Sequence, residues 1–512
     1  MKRRGYKATN YTFAAMMKEY RTVDDWKPFS KQLANVHKLF EAWRECVFSH
    51  KGTDPMYSNA AAISPLNMYI AVLAKAELYQ KMFDVFNEAR EHGPIHPDGR
   101  TYSELFFRLS ERSKTPGGEA SIYTQNASDA RFLWRQFTKD EEKGLAFADP
   151  PLLQHVIRLL ARGTATDHLV AFDIIRDYTG LAKPGEEPLK PRVDLSAALL
   201  AQILFLTLQS HKPKICLQFV QQVIERPVLG TNGLPILDRH HIRQAISAHC
   251  ANVTPGSYSE SARVVDLLDW SLRQGLENPA YEDLIRPDLY SYGEAFSCMW
   301  KSNDWPRAMR TFELMTGYDP EDFRDESLGV PSLPNRTPKK SLSPDNQSCA
   351  ALARTALESK DRANMRQCLR IFTHFNVGKM IEEGASGGRR ESLFRAGEPF
   401  SIGVMKNAFY ESKLAEVTVD LVEAALEDRL RSKHQKRDTR PPIKVNEERR
   451  WIDLRAQAKA AMRSYRHSPK VPRLFLPNTE MQALGSEKGL HAMDKVVAQR
   501  QEDRYMSLKP VS

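Results

Sequence analysis

Residues 65–98 read PLNMYIAVLAKAELYQKMFDVFNEAREHGPIHPD: an apolar helix pattern, a polar elbow, an amphipathic helix, then a Gly and a Pro-Asp terminus. The next residues, GRTYSELFFRL, begin the same pattern again. A supersecondary unit that returns after roughly 35 residues cannot bury its apolar face alone and must stack on its neighbours. That single feature limits the chain to an all-α solenoid of helix-turn-helix repeats.

Within the unit, Met68, Ile70, Val72, Leu73 and Leu78 are spaced to line one helix, and Met82, Phe83, Val85, Phe86 and Ala89 its partner. Ala76-Glu77 makes the elbow, Gly93 is placed to end the second helix in a left-handed conformation, and Pro97 prevents continuation. A second clear copy spans 288–320, with a polar elbow at Ser302–Asp304, Pro306 at a helix start and an Ala308/Phe312/Met315 stripe. Weaker helix pairs are traced at 11–55, 101–149, 151–181, 195–226, 236–274 and 348–375. Inserts such as 114–126 and the Pro/Gly-rich 182–191 make the repeat lengths uneven and predict loops. The expected organisation is a repeat array over 1–324, a linker at 325–346, further helical repeats over 347–428 with a loop at 378–395, and a basic extension over 429–512. In that extension a helix over 447–463 would carry Trp451, Leu454 and Ala458 on one side and could dock on the array or on a ribosome-like surface.

Charge narrows the partners. Lys and Arg number 74 against 64 Asp and Glu, a net charge of +10, which suits a polyanion and also serves solubility. The six cysteines are scattered without a Cys-x-x-Cys pair, and most fall on apolar helix positions, predicting buried free thiols in a reducing compartment and no structural zinc. No apolar run reaches the length of a membrane span. The start, MKRRGYKATNYTFAAMMKEY, has the composition of an organelle transit peptide, but Tyr11, Phe13, Met16, Met17 and Tyr20 have core-helix spacing and predict a helix.

The unit at 65–98 resembles a pentatricopeptide repeat in its Asn after an apolar start, its AKA-x-x-Y-x-x-M-F-x-V-F helix pair and its Gly-x-x-x-Pro-Asp ending. Tetratricopeptide repeats are the competing helical hairpin of about 34 residues, but the Thr101-Tyr102 start and the Pro-Asp ends resemble the pentatricopeptide kind more. The resemblance implies a right-handed superhelix that binds single-stranded organelle RNA, taking about one base per repeat, with bases met by polar side chains and phosphates by Lys and Arg. It places the base-reading positions on Asn67 with Asp98, a pair that implies uracil, and on Ser103, whose closing partner would be Asp149 beyond an insertion. Gln154 and Gly293 are further candidates, although glycine has no side chain to read a base. Helix capping is the competing role for Asn67 and Asp98. For phosphate contacts the candidates are Arg429, Arg431, Lys433, Lys436, Arg437, Arg440 and Lys444 in the basic stretch after Asp428.

Catalytic chemistry is not apparent. Acidic residues do not recur at a spacing that would converge, no phosphate-binding glycine loop or dinucleotide fingerprint occurs, and no His-x-Glu with Cys-x-x-Cys is present. His240-His241 point about 100° apart on a helix and cannot easily share a metal, so solvent- or groove-facing side chains are expected there. The expectation is therefore a mitochondrial matrix RNA-binding factor, without cofactor, metal or small-molecule substrate, acting in transcript stabilisation, processing, splicing or translation. The alternative is a scaffold or assembly factor of the mitochondrial ribosome, and a cytosolic tetratricopeptide-like co-chaperone is the third possibility.

Overall fold

The computed structural model describes residues 8–49, 63–92, 95–112, 120–230, 233–325, 327, 330–332, 340–385, 402–431 and 445–467. Those residues form twenty α-helices and two short 3-10 turns, and no strand occurs among them beyond one isolated bridge between Leu229 and Pro235. The chain divides into two compact units, 1–215 with 225–236, and 216–224 with 237–512. The segment 325–346 lies within the second unit.

In the first unit the helices are α1 (Asn10–Tyr20), α2 (Ser30–Ser49), α3 (Ser64–Lys75), α4 (Tyr79–Glu91), α5 (Gly99–Arg112), α6 (Ala120–Glu142), α7 (Pro150–Leu160), α8 (Ala165–Thr179) and α9 (Ala197–Gln209). They form pairs α1/α2, α3/α4, α5/α6 and α7/α8, and the first helices also pack in series, α1 on α3, α3 on α5, α5 on α7 and α7 on α9. Each first helix is thus held by its own partner and by the first helices on either side, the contact pattern expected of helical repeats. α10 (Pro213–Ile224) begins in this unit and continues into the second.

The second unit repeats the scheme with α11 (Arg239–Asn252), α12 (Ser259–Glu277), a one-turn α13 (Glu282–Ile285), α14 (Leu289–Ser302), α15 (Trp305–Thr316), α16 (Asn346–Glu358), α17 (Arg362–His374), α18 (Val377–Ala385), α19 (Ile402–Arg431) and α20 (Val445–His467). Here α11, α14, α16 and α19 pack in series. The helix anticipated over 447–463 is α20; its Trp451, Leu454 and Ala458 are buried, and it packs on α18 and α19.

Sequence explains the unit boundaries. The 65–98 hairpin turns at Glu77, whose φ of 61° lies in the left-handed region, and the 288–320 copy turns at Asn303, φ 57°. In that copy Asp304 caps α15, Pro306 sits in its first turn, and Ala308, Phe312 and Met315 are buried as their spacing predicts. At the end of α8 the φ of Gly180 is +68°, and an added Cβ would stand 2.3 Å from the Leu189 carbonyl oxygen, so only glycine lets the 182–191 loop return so closely. Gly93 lies outside the described residues.

Four local expectations change. Part of the 114–126 insertion is helical, since α6 starts at Ala120, and Asn126 is buried where its Nδ2 donates to the Leu109 carbonyl at 3.0 Å. Residues 378–385 of the anticipated loop belong to α18. In α1, Phe13 and Met17 are buried but Tyr11 and Met16 are exposed, so only one edge of the apolar set meets the core. His241 is not solvent-facing: it is 1% exposed, its backbone N–H donates to Asp238, and its Nδ1 lies 2.7 Å from the same carboxylate. His240 stays exposed, as helix geometry requires of a neighbour turned about 100° away. Of the six cysteines, all but half-buried Cys46 are buried and all are free.

Candidate nucleic-acid interface

A recurring cap sets the register of the first helices. Asp98 accepts the Thr101 N–H at 2.9 Å, Asp149 that of Leu152 at 2.8 Å and Ser196 that of Leu199 at 3.3 Å, opening α5, α7 and α9. In the second unit Asp238, Asp288 and Asp345 do the same for α11, α14 and α16, accepting from His241 at 3.2 Å, Ser291 at 2.9 Å and Ser348 at 2.8 Å. A carboxylate in this position satisfies an orphan donor and complements the positive end of the helix. For these six helices the closing residue of the preceding repeat is therefore the N-cap, whereas α3 starts after Ile63 without a side-chain cap, and one Asp98 oxygen is engaged by the Thr101 N–H and hydroxyl together.

Counting from the cap brings the sequence candidates into one position. Five residues on stand Ser103 in α5 and Gln154 in α7, and Asn67 takes the same place in α3, where the buried pairs Pro65-Leu66 and Tyr69-Ile70 flank it as Thr101-Tyr102 and Leu105-Phe106 flank Ser103. These three residues are half-buried on consecutive first helices that pack together. The same position holds Ala201 in α9, and in the second unit Arg243, Gly293 and Ala350. Gly293 has a packing reason: a Cβ there would lie 3.0 Å from the side-chain amide of Gln347 on the neighbouring α16. Arg429 and Arg431 fall on the last turn of α19, where their side chains are not described, and Lys433, Lys436, Arg437, Arg440 and Lys444 lie outside the described residues.

Around this position runs a stripe that the sequence did not disclose. On α5 it comprises Ser103, Glu104 and Phe107; on α7, Gln154, His155, Arg158 and, just past the helix end, Arg162. The ring of Phe107 lies 5.1 Å from the His155 ring across the two helices, and the Arg108 guanidinium stands 4.9 Å from its centroid. Arg108 also binds the Glu104 carboxylate at 2.7 Å, so the acid of this stripe is neutralised by its own helix. Farther along, the Arg162 guanidinium covers the Tyr123 ring at 5.1 Å, while Arg158 has no ion-pair or hydrogen-bond partner among the described residues. Register alone would have found the stripe, by counting five, six and nine residues from each cap.

Two atoms are buried without a hydrogen-bond partner, Asn67 Oδ1 on α3 and His155 Nδ1 in the stripe. Leaving such an atom unmet costs about 1–3 kcal/mol, so each calls for a water or another polar group to meet it. Burial first, and the nearby Arg158 charge second, hold the pKa of His155 below its ordinary value and keep the imidazole neutral. Neutral, it offers one donor and one acceptor. Aromatic faces, a neutral imidazole, amide groups and arginines together suit stacking on bases and pairing with phosphates. No group of His, Cys, Asp and Glu among the described residues could hold a metal ion, and no helix among them is long and apolar enough to cross a membrane. Compared with known proteins, the chain matches no family model and no curated protein.

Proposed function

We propose that the chain is a pentatricopeptide-like RNA-binding protein of mitochondrial gene expression, acting without catalysis, and that it holds single-stranded RNA along the first helices α3, α5 and α7. One observation carries this: Asn67, Ser103 and Gln154 occupy the same half-buried position on three successive first helices, beside the Phe107–His155 ring pair and Arg158. Stacked first helices give successive bases successive polar side chains, and a ring such as Phe107 serves any base because every base has a π-face. The sequence-wide charge of +10 supports a polyanionic partner.

The test is fluorescence anisotropy of the full chain with single-stranded RNA, uridine-rich against uridine-free. Phe107→Ala is expected to weaken binding to both oligonucleotides by about 1–3 kcal/mol, the worth of one base stack. Asn67→Ala is expected to narrow the difference between them. Equal, salt-insensitive binding of every sequence by the wild type would end this reading.

A specific observation also favours the ribosomal scaffold. Ala201, Gly293 and Ala350 put no polar group at the equivalent position, so recognition of shape and phosphates in structured RNA asks less of these repeats than a base code does. Co-sedimentation with a mitochondrial ribosomal subunit, lost on removing the residues after Asp428, distinguishes that role; free migration in the gradient opposes it.

A further inference from the structure

We infer that a notch between α5, α6 and α7, walled by Arg158 and Arg162 with Tyr123, Ser110 and Asn126, seats one phosphate oxyanion. Its inner part is about 10 Å³, the size needed for a single water, and Arg158, Arg162 and Tyr123 are its half-exposed lining residues while Ser110 and Asn126 are buried. An oxyanion therefore sits at the mouth rather than inside.

Three features converge there. Arg158 carries a charge that no described acid meets. The Arg162 guanidinium stands over the Tyr123 ring at 5.1 Å, and burial, together with the adjacent Arg158, pulls its pKa down from the usual guanidinium range. An anion at the mouth meets the Arg158 charge, with the Arg162 guanidinium on the neighbouring turn. Of the neighbouring arginines, Arg112 holds Asp129 at 3.1 Å and Arg108 holds Glu104 at 2.7 Å. At the bottom, Asn126 is 1% exposed, with its Nδ2 donating to Leu109 and its Oδ1 unpartnered in the notch. That oxygen accepts a hydrogen from a water, whose second hydrogen is then directed outward to the oxyanion. Ser110 Oγ donates to the Phe107 carbonyl at 2.7 Å, so the notch and the ring that faces His155 share one turn of α5.

The shared chemistry is a tetrahedral phosphate oxyanion, from an RNA backbone or from free phosphate; only the first source rests on the RNA reading above. The experiment compares the full-length wild type, Arg158→Gln and Arg158→Lys in two arms. In the first, RNA affinity is followed against salt. Losing one single-strand phosphate contact lowers the magnitude of the slope of log K on log salt by about 0.7, which Arg158→Gln should show and Arg158→Lys should largely restore. In the second, the thermal midpoint is followed in inorganic phosphate against chloride at equal ionic strength; a rise in the wild type that Arg158→Gln lacks identifies free phosphate. A change in either arm supports the seat and names its source. RNA binding with an unchanged slope and no phosphate-specific shift overturns the seat and leaves the RNA reading standing. No RNA binding with a phosphate shift does the reverse. Retained helical circular dichroism in Arg158→Gln guards against simple misfolding, and the Lys variant tests the site should the Gln variant not fold.

Discussion

Asp98 has two candidate roles that a conservative substitution separates. As an N-cap, it is replaceable by asparagine, which caps a helix about as well, whereas alanine costs about 1 kcal/mol. Urea denaturation is therefore expected to show Asp98→Asn within a few tenths of a kcal/mol of the wild type and Asp98→Ala clearly below it. If Asp98→Asn changes RNA preference at unchanged stability, the free carboxylate oxygen reaches the base as well. His155 gives a pH prediction. Its folded pKa is lowered by burial and by Arg158, so its contribution to stability is complete above the unfolded value of about 6.5 and is lost as pH falls below it, because the unfolded chain takes the proton first. His168 and His249 shift in the same direction, also through burial first. His155→Gln should consequently flatten, without abolishing, the decline in melting temperature between neutral pH and pH 5. An unchanged decline would mean that His155 is solvated. Asp238 behaves oppositely in range: burial opposes its charge, but hydrogen bonds from His241 and the His240 and His241 backbones outweigh this and set its pKa at about 2, so its cap persists well into acid.

Elements are tied together by a few buried charges. The Asp140 carboxylate of α6 receives Arg90 of α4 through two bonds of 2.9 Å and the Tyr102 hydroxyl of α5, joining three helices at one fully buried group. Removing one partner leaves the other charge stranded, so Asp140→Ala should destabilise the protein by about 3–5 kcal/mol in chemical denaturation. A cost below about 1 kcal/mol would show that water already reaches the cluster. At this scale the sequence was largely legible. Helix pairs at 65–98 and 288–320 followed from apolar spacing and from Pro-Asp ends, because those signals are local. Asn126 and residues 378–385 were not, since polar and glycine-rich stretches look like loops until a tertiary contact, such as the Asn126 bond to Leu109, fixes them. The stripe on α5 and α7 stayed hidden for a related reason. The insertion between α5 and α6 breaks the repeat length, so Ser103 and Gln154 align only when each is counted from its own cap. Phe107, His155 and Arg158 then follow in register, although none of them has an unusual neighbour in sequence. Two adjacent histidines on a helix have different surroundings, and packing alone turns His241 inward while His240 stays exposed.

At the scale of the whole molecule, both units use one construction: a capped first helix packed on the next first helix, with the second helix of each pair behind it. The sequence signals for fold were repeated many times along the chain and so survived local noise. The signals for function are not repeated: the polar position alternates among Asn, Ser, Gln, Ala, Arg and Gly, and the arginines of α7 have no counterpart at each repeat. An excess of ten positive charges therefore has to be assigned to a surface by experiment. The most direct measurement is photocrosslinking of 4-thiouridine RNA to the full-length protein, with the attached peptides mapped by mass spectrometry. Crosslinks in the peptides that carry Asn67, Phe107 and His155 are predicted, with those of the last two reduced by Phe107→Ala. Crosslinks confined to the residues after Asp428, or none at all, would contradict an RNA surface along α3, α5 and α7.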